Sequence, residues 1–194
     1  MKTIMLMAFA STFGFTACNP NSTSKTTAAG DTTTTQSSAS TTVSSQSAAP
    51  TASFGGLLTA YLKIKNALAS DDAGEAASGG NDFVQALGKV DPSSLTPDQK
   101  KTFQETADDA REMAEHIGKS AGKIEHQREH FEMLTSDMYD LAKVFKHHQT
   151  LYRDFCPMYN NGKGAEWISE TRDIKNPYLG KKMPTCGEVK EEIK

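Results

Sequence analysis

The sequence predicts an all-α fold: an antiparallel up-down bundle of about four helices, with an irregular C-terminal segment packed on it. Three observations carry this expectation. Between residues 57 and 145, large apolar residues recur at spacings of three and four, the period of a helix with one buried face. Short runs rich in Asp, Ser, Gly and Pro interrupt the period, and connections that short favour antiparallel neighbours. After about His148 the period disappears, and Gly, Pro, Asn and Tyr become frequent.

In the first helix, Leu57, Leu58, Tyr61, Leu62, Ile64 and Leu68 form the apolar stripe, which ends near Asp71-Asp72. Phe83, Val84, Leu87 and Val90 mark a second helix. Gly74, Gly79 and Gly80 lower helix propensity ahead of them, so its first half is expected to be loop. Asp91-Pro92-Ser93-Ser94 breaks the chain. Thr96-Pro97-Asp98-Gln99 is a helix start: a Thr cap, Pro at the first helical position, and Gln three residues after the cap. The third helix carries Phe103, Ala107, Ala110, Ala114 and Ile117. The fourth carries Ile124, Phe131, Leu134, Met138, Leu141 and Phe145. Small residues on one stripe face large ones on the other, which lets the two helices approach closely. Residues 150–187 are expected to be irregular and pinned to the bundle by Trp167, Pro177 and Tyr178. Glu188 to Lys194 are expected to be a charged tail.

Ahead of this domain, 54–194, lie two segments of different character. Lys2 followed by the apolar run Ile4 to Phe15 and the small residues Thr16-Ala17 has the layout of a secretory signal over 1–17. Cys18 directly after it resembles the lipobox of bacterial lipoproteins, with Phe15 standing where Leu is usual. That resemblance implies acylation of Cys18 and attachment to a membrane through the N-terminal lipid. In 18–53, Ser and Thr fill more than half the positions after Cys18, a composition too poor in apolar groups to offset chain entropy. This stretch is expected to be a disordered tether. The expected location is the cell envelope, on the outer membrane and facing the periplasm.

The formal net charge is −3, so no basic face recommends the chain to nucleic acid. What remains notable is the placement of soft donors. With Cys18 assigned to lipid, only Cys156 and Cys186 are left, and each stands near a methionine, Met158 and Met183. All five histidines lie between 116 and 148. His126 and His130 are one helical turn apart, and Met113 and His116 share a face of the preceding helix. Thiolate and thioether suit monovalent copper, and imidazole suits copper and zinc. The candidate ligands are therefore His130, Cys156 and Cys186, with Met158 and Met183 as auxiliary donors and His126 and His116 as further candidates. Cys156 and Cys186 can equally form a disulfide in an oxidising compartment, where the chain-entropy model assigns such a loop roughly 3–4 kcal/mol.

A longer pattern joins these residues. It runs from Ile124-Glu125-His126-Gln127-Arg128-Glu129-His130-Phe131 through Tyr152, Cys156-Pro157-Met158, Gly164-Ala165 and Trp167. It closes on Asn176-Pro177-Tyr178, Gly180, Met183 and Cys186-Gly187. This pattern resembles domain-of-unknown-function family 3347. That family occurs in bacterial lipoproteins and beside periplasmic adaptor subunits of heavy-metal efflux pumps of the CusB kind. The resemblance implies a heavy-metal role, with copper the leading ion, and an efflux adaptor or a metallochaperone as partner. His130, Cys156, Met158, Met183 and Cys186 fall on its motif positions.

A catalytic reading competes at one point. His126-Gln127-Arg128-Glu129-His130 also spells His-x-x-Glu-His, the inverted zinc-peptidase motif. That chemistry needs a third protein ligand and a substrate cleft besides the motif. No nucleophile elbow, phosphate-binding loop or dinucleotide fingerprint is present. The expected function is therefore non-enzymatic: a membrane-anchored lipoprotein that binds a soft heavy-metal ion and assists its handling or efflux. The alternative is a metal-free envelope interaction module held by a Cys156–Cys186 disulfide.

Overall fold

A computed structural model describes the backbone from residue 49 and the side chains from residue 54 to the C-terminus. The signal, Cys18 and nearly all of the proposed tether lie outside the described residues. Four helices come first: α1 (Ala49–Ala69), α2 (Ala73–Leu87), α3 (Pro97–Lys119) and α4 (Ile124–Val144). The first turn of α1 thus falls inside the stretch read as tether. Each helix packs most closely on its neighbour in the chain, and α1 also reaches α4, which closes the bundle. None of the helices among the described residues is long and apolar enough to cross a membrane.

The apolar stripes read from the sequence are the core. Leu57, Tyr61, Ile64, Leu68, Phe83, Ala110, Ala114, Ile117, Phe131, Leu134 and Leu141 are all buried. The start of α3 forms a capping box: the Gln99 amide donates to the Thr96 hydroxyl, and the Thr96 amide donates to the Gln99 side chain. The expectation of loop before Phe83 is corrected. α2 is helical from Ala73, with Asp72 capping it by accepting from the Glu75 amide. Its glycines serve packing. A Cβ on Gly80 would stand 2.6 Å from the Ala114 carbonyl oxygen, and one on Gly79 2.8 Å from Ile64. The helix propensity lost at these positions allows neighbouring backbones to meet.

The irregular C-terminal segment is also corrected. Strands β1 (Leu151–Cys156), β2 (Ala165–Ser169) and β3 (Glu188–Ile193) form an antiparallel sheet in the order β2-β1-β3. The protein is mostly helical with a small sheet, rather than all-α. Two features hid the strands. Arg153 and Asp154 interrupt the apolar pattern of β1, and β3 carries three glutamates and a lysine, a composition typical of a solvated tail. Arg153 pairs across the sheet, whereas Glu188 pairs with Lys190 on its own strand. Arg153 donates to Glu166 on β2 at 2.6 and 2.8 Å and lies 3.5 Å from Glu191 on β3. Glu191 also accepts from Lys143 and Tyr139 of α4, which ties the edge strand to the bundle. Charged edge strands with satisfied partners resist pairing with other chains. Inward, Trp167, Ile168, Leu151 and Ile193 join the core, and the Ile168 amide donates to the Tyr61 hydroxyl.

Candidate metal centre

The turn Ser120–Lys123 reverses the chain between α3 and α4, so the last turn of α3 lies beside the first turns of α4. Buried Ile117 and Phe131 hold the inner faces together. The adjoining outer edges of the same seam carry His116 on α3 and His126 and His130 on α4. Ligand atoms of these three imidazoles all lie within 4.8 Å of one another. His116 and His130 stack with ring centroids 4.4 Å apart, and His126 meets His130 edge-on at the same distance. His116 and His126 are nearly half exposed, so the cluster opens to solvent.

The outer nitrogens define which lone pairs are free. His126 Nδ1 faces the Glu129 carboxylate at 3.2 Å, and His130 Nδ1 faces the Met113 thioether at 3.3 Å. Both neighbours only accept, so each Nδ1 is assigned its proton and each Nε2 its lone pair. The two Nε2 atoms then point at each other 3.1 Å apart. Two acceptors face to face repel unless a proton or a cation lies between them. Zinc binds imidazole nitrogen at about 2.0–2.1 Å, so two such ligands at a tetrahedral angle sit about 3.3 Å apart. The residues therefore fit a shared cation. Burial, then the neighbouring His116 and His126, push the His130 imidazole below its usual pKa, which keeps its ligand nitrogen free of a proton near neutral pH.

The proposed cysteine ligands lie elsewhere. Cys156 ends β1 and is buried, whereas Cys186 precedes β3 and is partly exposed. Their sulfurs are 2.7 Å apart. Contact with Cys156, together with burial, pushes the Cys186 thiol up, partly offset by a hydrogen bond from the Met158 amide. Met158 is exposed, and Met183 is half-buried beside the Cys186 backbone, with its carbonyl accepting from the Cys186 amide. Among the described residues, the group of three or more His, Cys, Asp or Glu side chains close enough to share an ion is the histidine trio. The single convergent site expected from sequence thus separates into an imidazole cluster and a thiol pair. Met113 and Glu129 enter as orienting residues. For Glu129 the spacing of three from His126 was the available signal, whereas Met113 meets His130 only through the packing of α3 on α4.

The fold defines a small helical-bundle protein with an appended sheet and an exposed histidine cluster at one inter-helix turn. Residues 57–150 match the family model described as protein of unknown function, DUF3347, a stretch that covers most of the bundle and all three clustered histidines. Neither the curated proteins nor the solved structures contain a match.

Proposed function

We propose that the domain binds a soft or borderline heavy-metal ion, copper first and zinc second, through His116, His126 and His130. The observation that carries this reading is the pair of Nε2 atoms 3.1 Å apart, with both Nδ1 atoms engaged by Met113 and Glu129. An outer partner on the far nitrogen is the usual device for fixing a metal-bound imidazole. Three imidazoles beside a thioether suit copper, and imidazole alone also suits zinc. Solvent access to the cluster favours loading and hand-over rather than permanent storage. This agrees with a role in metal handling beside an efflux adaptor or metallochaperone.

We read no catalytic function here. In the His-x-x-Glu-His pattern, Glu129 is engaged with the Nδ1 of His126, which orients a ligand rather than activates a water. Metal binding through the histidines is compatible with a Cys156–Cys186 disulfide, because the donors are different residues. The lipid anchor at Cys18 and the periplasm-facing location belong to the same proposal. Cys18→Ser should leave the protein soluble or unprocessed, and membrane fractionation as complete as that of the wild type would refute the anchor.

The site is tested by copper and zinc competition against a chromophoric chelator, comparing wild type with His126→Ala, His130→Ala and Cys156→Ser. The histidine variants should lose at least about tenfold in affinity, as expected for loss of a direct ligand, and Cys156→Ser should retain it. Equal affinity in all four proteins would sink the histidine site.

A further inference from the structure

The thiol pair has its own chemistry. β1 and β3 are antiparallel neighbours, with Phe155 opposite Glu188. That register brings Cys156, at the end of one strand, beside Cys186, just before the other. The two are 30 positions apart in sequence, and their sulfurs stand 2.7 Å apart. Two thiolates on one zinc at about 2.3 Å and a tetrahedral angle would be about 3.8 Å apart. The observed approach is too close for a shared metal, and two thiolates at that distance would repel. A disulfide holds its sulfurs at about 2.05 Å, and the pair stands nearer to that arrangement than to shared ligation.

We propose that Cys156 and Cys186 are a thiol–disulfide modification site that latches the 157–185 segment onto the sheet. The oxidant class is a disulfide, either a small dithiol-derived molecule or an oxidoreductase. Burial sets the order of events, because Cys186 is the accessible thiol and Cys156 is enclosed. Cys186 loses its proton and attacks one sulfur of the oxidant. The oxidant's S–S bond breaks and its other sulfur leaves as a thiolate that takes up a proton. Cys156 then loses its proton, attacks the Cys186 sulfur and expels the second oxidant thiol, also protonated. Two protein thiols become one disulfide, and one oxidant disulfide becomes two thiols.

The latched segment is held at several points that the bond would secure. The Asn176 side chain donates to the Cys186 carbonyl at 2.6 Å and accepts from the Tyr178 and Leu179 amides. The Pro177 carbonyl accepts from Arg128. Opening the latch therefore loosens the end of the segment next to Cys186, while its middle stays anchored by buried Trp167, Ile168 and Tyr178.

The test uses the full chain, equilibrated in glutathione buffers from reducing to oxidising, alkylated and digested for mass spectrometry. The expected product is a Cys156–Cys186 cross-linked peptide two daltons lighter than the dithiol, present in oxidising buffers and lost in reducing ones. The thermal midpoint of wild type should fall by roughly 10 °C on reduction, by the loop-entropy and size scaling of disulfides. The midpoint of the Cys156→Ser/Cys186→Ser double variant should not respond to reductant. Recovery of both residues fully alkylated from folded protein in oxidising buffer would overturn the proposal, as would a cross-link from either of them to Cys18 alone. The mass measurement is made on the wild type, so a poorly folding variant does not weaken it.

Discussion

Asp71 and Arg128 form a clamp between the α1–α2 corner and α4, with the carboxylate accepting from the guanidinium at 2.6 Å. Arg128 is almost wholly buried and also donates to the Leu68 and Pro177 carbonyls. The Lys181 amide donates to the other Asp71 oxygen, so one carboxylate joins bundle and C-terminal segment. Burial works against the Asp71 carboxylate. The Arg128 guanidinium and the Lys181 amide outweigh it and hold its pKa below the usual carboxylate range.

Removing this carboxylate leaves a buried cation with weaker compensation, a change that costs about 3 kcal/mol. Asp71 also sits at φ 55°, a backbone region that Asp and Asn tolerate better than Ala. Asp71→Ala should therefore lose more stability than Asp71→Asn in urea unfolding. Equal losses would show that the acceptor oxygen and the backbone preference that Asn keeps contribute nothing.

Gly80 gives a prediction opposite in sign to helix propensity. Alanine normally stabilises a helix interior by roughly 0.5–1 kcal/mol over glycine. Here the added methyl meets the Ala114 carbonyl and, at 2.8 Å, the Gly118 amide. Backbone cannot step aside as a side chain can, so Gly80→Ala should destabilise by about 1–3 kcal/mol. Gly74→Ala is the control, because its nearest neighbour is 3.5 Å away. Calorimetry should show the first midpoint falling and the second unchanged or raised.

Asp154 supplies a pH dependence. It is fully buried on β1, and burial, only partly offset by Lys65 and the Trp167 indole, pushes its pKa up to about 7. Between its unfolded value of 3.8 and about 7, the native state keeps a proton that the unfolded chain has released. Its contribution to stability is therefore complete below the lower value and is lost as pH rises through the upper one. Asp154→Asn removes the ionisation while keeping the shape. The variant should match wild type near pH 4 and exceed it by on the order of 2–4 kcal/mol near pH 8. Parallel stability profiles in urea would contradict this.

The orienting residues predict a graded metal response. Met113→Leu keeps most of the packing but removes the acceptor facing His130 Nδ1, and Glu129→Gln removes the charge facing His126 Nδ1. Each should weaken metal binding by roughly 10–100-fold without changing stoichiometry, the usual scale for outer partners of metal-bound imidazole. Isothermal titration that finds wild-type affinity in both variants would remove these residues from the site.

The bundle was legible in the sequence because helix patterning is local. The stripe from Leu57 to Leu68 and the start at Thr96-Pro97 need only their own neighbours to be read. The donors on α3 and α4 were legible as residues for the same reason: His126 and His130 differ by one turn, and Met113 and His116 by three positions. What only the tertiary structure decided was which donors meet. The turn after Lys119 brings His116 onto His126 and His130, while the pairing of β1 with β3 carries Cys156 to Cys186 and away from the imidazoles. Strand pairing depends on partners far along the chain, and the charges of β3 reveal their role only once Arg153 and Lys143 lie opposite Glu191. The glycines of α2 follow the same logic. Taken alone they weaken a helix, and only the Ala114 carbonyl across the interface shows why they are there.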